Sequence, residues 1–136
     1  MCHMETVEFL ILKNLLHNEE YVRKVIPFIK GDYFEDRNQK IVFEEIINFV
    51  QEYNQPVTKE VLCIEAEKRQ DITDDSFKEI TQLIGSLEDQ PSEFEWLVNT
   101  TEKWCRDRAI YLALMESIQL ADGKDDTKGR DAIPTI

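Results

Sequence analysis

Three pairs of adjacent carboxylates, Glu19-Glu20, Glu44-Glu45 and Asp74-Asp75, are the first places in this 136-residue sequence to look for chemistry. Paired acids can serve general acid–base catalysis or hold a divalent metal. The first and third pairs stand where helices are expected to begin, and there acidic side chains stabilise the positive end of the helix dipole. The middle pair reads as a solvated helix face. His3 and His17 lie near one end with no third ligand at useful spacing, and His17, beside Asn18 at a helix boundary, reads as a surface or capping histidine. Cys2, Cys63 and Cys105 are odd in number and far apart, with no CxxC pair. Neither a zinc site nor a disulfide framework is indicated, and a reducing cytoplasm is the expected compartment. GxxxxGK[ST], GxGxxG, HExxH and GxSxG do not occur. Gly31, Gly85, Gly123 and Gly129 are too scattered to lay bare amides around a phosphate. The sequence therefore predicts no catalytic residue, no cofactor and no metal ligand. A carboxylate metalloenzyme would need stoichiometric metal, and these acids do not call for one.

Surface chemistry then carries more weight. Lys and Arg number 16 against 28 Asp and Glu, a net charge of −12. That field repels phosphate backbones and excludes a stand-alone binder of duplex nucleic acid. A composition 42% hydrophobic and 32% charged is that of a folded domain rather than an acidic disordered tail. The length suits one core. Four Gly and four Pro leave few turns, so the elements are few and long, and an all-α fold is expected. The longest apolar run, Ala109 to Met115, is far short of the roughly 20 residues that cross a bilayer. Met1-Cys2-His3-Met4-Glu5 has neither a basic stretch nor a small-residue cleavage site. A soluble, cytoplasmic protein that does not bind membranes is expected.

The elements follow from apolar spacing and caps. Val7, Phe9, Leu10, Ile11, Leu12, Leu15 and Leu16 crowd a helix from Glu5 to His17, with polar Glu8, Lys13 and Asn14 between them. Asn18 caps a second helix through Tyr21, Val22 and Val25, which Pro27 interrupts. Gly31 permits a turn, and Tyr33 and Phe34 return to the core. Ile41, Val42, Ile46, Phe49, Val50 and Tyr53 recur at helical spacing between Asp36 and Asn54. Thr58 caps a fourth helix through Val61, Leu62 and Ala66. Ser76-Phe77-Lys78-Glu79 reads as a capping box opening a fifth helix or lying just inside it. That helix would bury Phe77, Ile80, Leu83, Ile84 and Leu87. A second box, Ser92-Glu93-Phe94-Glu95, starts the longest helix, which reaches Ala121. No period-two alternation persists, so no sheet is expected. From Asp122 to Asp131 seven of ten residues are charged and two are Gly, a solvated linker. Ala132-Ile133-Pro134-Thr135-Ile136 is apolar again, as at the cut edge of a longer protein. The expected division is a helical domain over 1–121 and a linker over 122–136.

The long helix changes character along its length. Phe94, Leu97, Val98, Thr101, Trp104 and Cys105 share one side of its first half, opposite Glu95, Asn99, Glu102 and Lys103. Trp104 continues the core seam, and Trp96 falls nearer the polar side as a rim contact. The run Ala109 to Met115 is apolar all round, and such a helix needs cover on every side. Either it passes through the domain centre or it projects and meets another chain. A solvated linker immediately beyond it favours projection. The expected partner face is Ile110, Leu114, Ser117, Ile118 and Ala121, with Tyr111, Met115 and Arg108 alongside. The guanidinium groups of Arg106 and Arg108 can pair with carboxylates of a neighbour or, more commonly, of their own domain.

Taken in order, Asp32-Tyr33-Phe34, Ile41-Val42-Phe43-Glu44-Glu45-Ile46 and Pro56-Val57-Thr58 resemble the N-terminal domain of DnaB-type hexameric replicative helicases. Trp96-Leu97-Val98, Thr101-Glu102-Lys103-Trp104, Asp107-Arg108-Ala109-Ile110-Tyr111 and Ala132-Ile133-Pro134 resemble more closely the version in T-even-like bacteriophages. The resemblance spans nearly the whole chain. It implies a small bundle of about six helices leading into a helical hairpin, whose first arm is the long helix. Paired hairpins from neighbouring subunits would stack such domains into a collar that supports a hexamer. The resemblance also implies primase and the helicase loader as partners, and places ATP hydrolysis in a RecA-like domain that this chain lacks. An acidic collar would keep phosphates off itself and direct them to the motor. A reading from a different class is a free-standing acidic helical adaptor that binds and regulates a host protein.

Overall fold

The computed structural model describes residues 6–90 and 92–123, and every regular element among them is helical. In chain order they are α1 (Val7–His17), α2 (Glu19–Val25), a 3₁₀ turn (Gly31–Tyr33), α3 (Arg37–Tyr53), α4 (Lys59–Glu67), α5 (Asp74–Gly85) and α6 (Phe94–Gly123). Short polar side chains start most of them by accepting an otherwise unpaired backbone N–H. Thr6, Asn18, Asp36, Thr58 and Thr73 accept from the amides of Phe9, Tyr21, Asn38, Val61 and Ser76. Asn54 closes α3 in the left-handed region at φ 53°, a conformation asparagine tolerates better than most residues.

α1 is the centre of the bundle. It packs on α2, α3 and α6, and Ile11 through Leu16 are buried without interruption. Complete burial of one such aliphatic side chain contributes on the order of 2 kcal/mol, so α1 alone supplies a large share of the core. Its two buried polar residues both find partners. Lys13 is only 3% exposed, and its ammonium donates to Gln90 Oε1 at 3.0 Å and lies 5.5 Å from the Phe9 ring centroid. Asn14 Nδ2 donates to the Leu10 carbonyl at 2.9 Å. At the helix end, His17 Nε2 donates to the Leu87 carbonyl at 2.8 Å and ties α1 to the segment after α5.

Of the two places expected for Ser76-Phe77-Lys78-Glu79, the structure takes the one just inside α5, and Thr73 caps that helix with its hydroxyl 3.1 Å from the Ser76 amide. Two sequence readings need correction. At α6 the capping group is the Glu93 carboxylate, 2.7 Å from the Trp96 amide, rather than Ser92. Glu44-Glu45 is not a solvated face. Arg69, at the end of α4, pairs with Glu45 at 2.7 Å, Glu44 at 3.3 Å and Asp71 at 2.9 Å, and so clips α4 to α3. The Arg69 guanidinium hydrogen-bonds Asp71 and holds that carboxyl below the usual carboxylate range. Glu19-Glu20 and Asp74-Asp75 do occupy first helical turns. Helix α6 continues through Asp122 and Gly123, two residues past the expected domain boundary at 121. The rest of the linker and Ala132–Ile136 lie outside the described residues, as do Cys2 and His3.

Candidate protein-interaction surface

The first half of α6 is held against the body through the side the sequence predicts. Leu97, Val98, Thr101 and Cys105 are buried. Thr101 Oγ1 donates its single proton to the Leu97 carbonyl at 2.8 Å, so Tyr21 must donate across the 2.6 Å contact between the two hydroxyls. Burial raises the Tyr21 phenol well above its ordinary pKa. Burial also pushes the Cys105 thiol up to about 12, with Glu102 adding to the effect.

One turn further on, an aromatic clasp grips the helix. Trp104 meets Phe34 at 5.0 Å and the edge of Tyr33 at 6.1 Å, and its indole N–H donates to Glu8 Oε2 on α1 at 3.3 Å. Arg108 completes the clasp. Its Nε donates to the Tyr33 carbonyl at 2.6 Å, and its Nη1 reaches Glu35 at 3.2 Å. The guanidinium also stacks 4.8 Å from the Tyr111 ring centroid, and the side chain is only 12% exposed. Arg108, expected alongside a partner face with its guanidinium more commonly paired within its own domain, is engaged by its own domain. Nothing in the local sequence marks the Tyr33 carbonyl as its acceptor, because the two are 75 residues apart.

Beyond Arg108 the helix leaves the body. Ile110, Tyr111, Leu114, Ile118 and Leu120 are each 47–60% exposed. With about 100° between successive residues, Ile110, Leu114, Ser117 and Ala121 fall on the side opposite Leu97, Thr101 and Cys105. Ile118 and Tyr111 form one edge of that row. Met115 and Leu112 are less exposed and lie on the body side. The apolar seam therefore crosses from one side of α6 to the other near Arg108. Leu120 is as exposed as the rest and escaped the sequence reading because it falls outside the main row. Trp96 is 51% exposed and sits on the same outer side as Leu114.

Elsewhere the surface offers little chemistry. Among the described residues no three His, Cys, Asp or Glu gather where they could hold a metal ion, and no helix is long and apolar enough to cross a membrane. A cleft of about 310 Å³ between the α1–α2 corner and the end of α3 is lined by Leu16, Val22, Ile26 and Val50, with the Glu19–Arg23 ion pair beside them. Its lining pairs no nucleophile with a base. The arrangement on this chain best suited to recognition is the outer face of α6.

Two comparisons show what the chain is similar to. Residues 1–95 match the family model described as DnaB-like helicase N terminal domain, a match that takes in α1 to α5 and stops at the second residue of α6. The chain is also similar to the DnaB-like replicative helicase of Enterobacteria phage T4, with 31% identity over 111 residues covering 82% of this chain. That alignment spans 23% of the phage protein's length.

Proposed function

The chain belongs to the DnaB-like helicase N-terminal domain family, and from that membership we propose that it is the non-catalytic assembly and docking domain of a phage replicative DNA helicase. In this reading the distal half of α6 joins copies of the domain to one another and supports a hexamer of the parent protein. The domain docks primase and the helicase loader in the host cytoplasm, while ATP hydrolysis and strand translocation fall to another part of the parent. Residues 122–136 lead towards a second hairpin arm and the motor. The net charge of −12 keeps the collar clear of the strand that the motor handles.

The observation that carries the reading is the exposed row Ile110, Leu114 and Ile118 on the side of α6 turned away from its own core. Its neighbours Tyr111, Met115, Ser117 and Ala121 widen the face, and Arg108 fixes where the helix departs. A face of this kind gains free energy only by meeting another apolar surface. Replacing both Ile110 and Leu114 by Lys should abolish any rise of molar mass with concentration in light scattering and leave monomer stability within about 0.5 kcal/mol. A variant with unchanged mass and a loss of several kcal/mol would mark the two as core residues and end the proposal.

A further inference from the structure

A seven-residue repeat runs along the outer face of α6 and extends well beyond the aliphatic row. Trp96, Lys103, Ile110 and Ser117 occupy one position of the repeat, and Thr100, Asp107, Leu114 and Ala121 occupy another, four residues after each. Both positions lie on the side away from Leu97, Thr101 and Cys105, and Trp96, Lys103, Asp107, Ile110 and Leu114 are all exposed. Positions spaced in this way are where the seam of a two-helix coiled coil falls, and here apolar Trp96, Ile110, Leu114 and Ala121 share it with polar Thr100, Lys103, Asp107 and Ser117. In the middle of the stripe Lys103 and Asp107 pair along the helix at 3.2 Å.

We infer that this face packs antiparallel against the same face of a second copy, about a two-fold axis midway between Lys103 and Asp107. The inference rests on the self-association proposed above and assigns its register. Lys103 then meets the partner's Asp107, Thr100 meets the partner's Ile110, and Trp96 covers the partner's Leu114, each contact occurring twice by symmetry. Charge selects this register. Sliding the helices by one heptad would set Asp107 against the partner's Ile110 and Lys103 against the partner's Leu114, burying two charges against aliphatic groups. Centring the pair on Ile110 and Leu114 instead would leave Trp96 in water and the Lys103–Asp107 pair without an opposite charge on the partner. At the axis the existing ion pair becomes a ring of four charges alternating in sign.

In this register the two helices overlap from Trp96 to Leu114, about 27 Å of helix, and Trp96, Ile110 and Leu114 are the large apolar side chains of the seam within it. Tryptophan is also the side chain most enriched among residues that dominate interface energetics.

Sedimentation equilibrium of the 136-residue chain, with tryptophan emission followed over the same concentrations, tests the assignment. Wild-type emission should move to shorter wavelength as the chain associates, and Trp96→Phe should remove that shift while association persists. Trp96→Ala should weaken association by about tenfold or more. Lys103→Asp should weaken it several-fold, and adding Asp107→Lys should restore it. An intrahelical role alone for the Lys103–Asp107 pair would leave association untouched by either charge change. If Ile110→Lys with Leu114→Lys dissolves the dimer while Trp96→Ala and Lys103→Asp do not alter it, this register is wrong and the proposed self-association stands. A wild-type chain that stays monomeric at every concentration overturns both.

Discussion

Helix α1 and the distal half of α6 are the two most apolar stretches of helix in the chain, and their fates are opposite. Ile11 to Leu16 are all buried although Lys13 and Asn14 lie among them, whereas Ala109 to Met115 contains no charged residue and is largely exposed. Composition would rank them the other way. What separates them is the number of neighbours. α1 has α2, α3 and α6 around it, while α6 beyond Arg108 has left the 3₁₀ turn and α2 behind. An all-round apolar helix states a requirement for cover, and only the topology says whether the same chain meets it.

The sharpest way to break this contrast is to truncate one aliphatic residue on each helix in dilute solution. Leu12→Ala should cost 2–5 kcal/mol, at about the level of other leucines removed from closed cores, and chemical denaturation would read it directly. Leu114→Ala should leave monomer stability within about 0.5 kcal/mol. Comparable losses at the two sites would erase the distinction.

A smaller effect is expected at the clip between α3 and α4. Arg69→Met leaves Glu45, whose side chain is largely buried, without its cation, and should cost about 1–3 kcal/mol near neutral pH. The pH dependence has a definite sign. Asp71 has a folded pKa below its ordinary value, so its contribution is complete above pH about 4 and is lost as pH falls through the folded value. The advantage of wild type over Arg69→Met should therefore narrow on acidification below pH about 4. Parallel stability curves would show that Asp71 takes no part.

Two tests sharpen the account of how α6 is seated. Tyr21→Phe removes the hydroxyl that donates to Thr101 and should cost about 1 kcal/mol. Cys105, buried and raised to about 12, should resist alkylation at pH 8 until the chain unfolds, while half-buried Cys63 reacts before it. Native labelling of Cys105 as fast as Cys63 would mean that α6 separates from α2 readily.

Much of this architecture is legible in the residues. The period of Ile41, Val42, Ile46, Phe49 and Val50 predicts α3 nearly to its ends, and Asn18 and Thr58 act as the caps their types imply. The contacts that escape the sequence reading share one cause, a partner distant in sequence. Glu45 reads as solvated because Arg69 is 24 residues away, and the bond from Lys13 to Gln90 joins residues 77 apart. Arg108 pairs within its own domain, as guanidinium groups commonly do, but its main-chain acceptor carries no mark in the sequence, because a carbonyl is common to every residue. The exposed row on α6 is expected from the all-round apolar run together with the solvated linker beyond it, and not from periodicity alone. The heptad running back to Trp96 lies in the same predicted helix but escapes a reading by apolar spacing, because Thr100, Lys103 and Asp107 interrupt it.

That continuity has a mechanical consequence. Between Phe94 and Asp122 α6 contains no glycine or proline at which to flex, and from Arg108 to its end it extends roughly 22 Å. It is a lever with its fulcrum at Trp104 and Arg108. Torque applied at the tip is delivered to Tyr33 and Phe34 and, through the indole bond to Glu8, to the opening turn of α1. Load on the arm is therefore felt at the hub of the bundle.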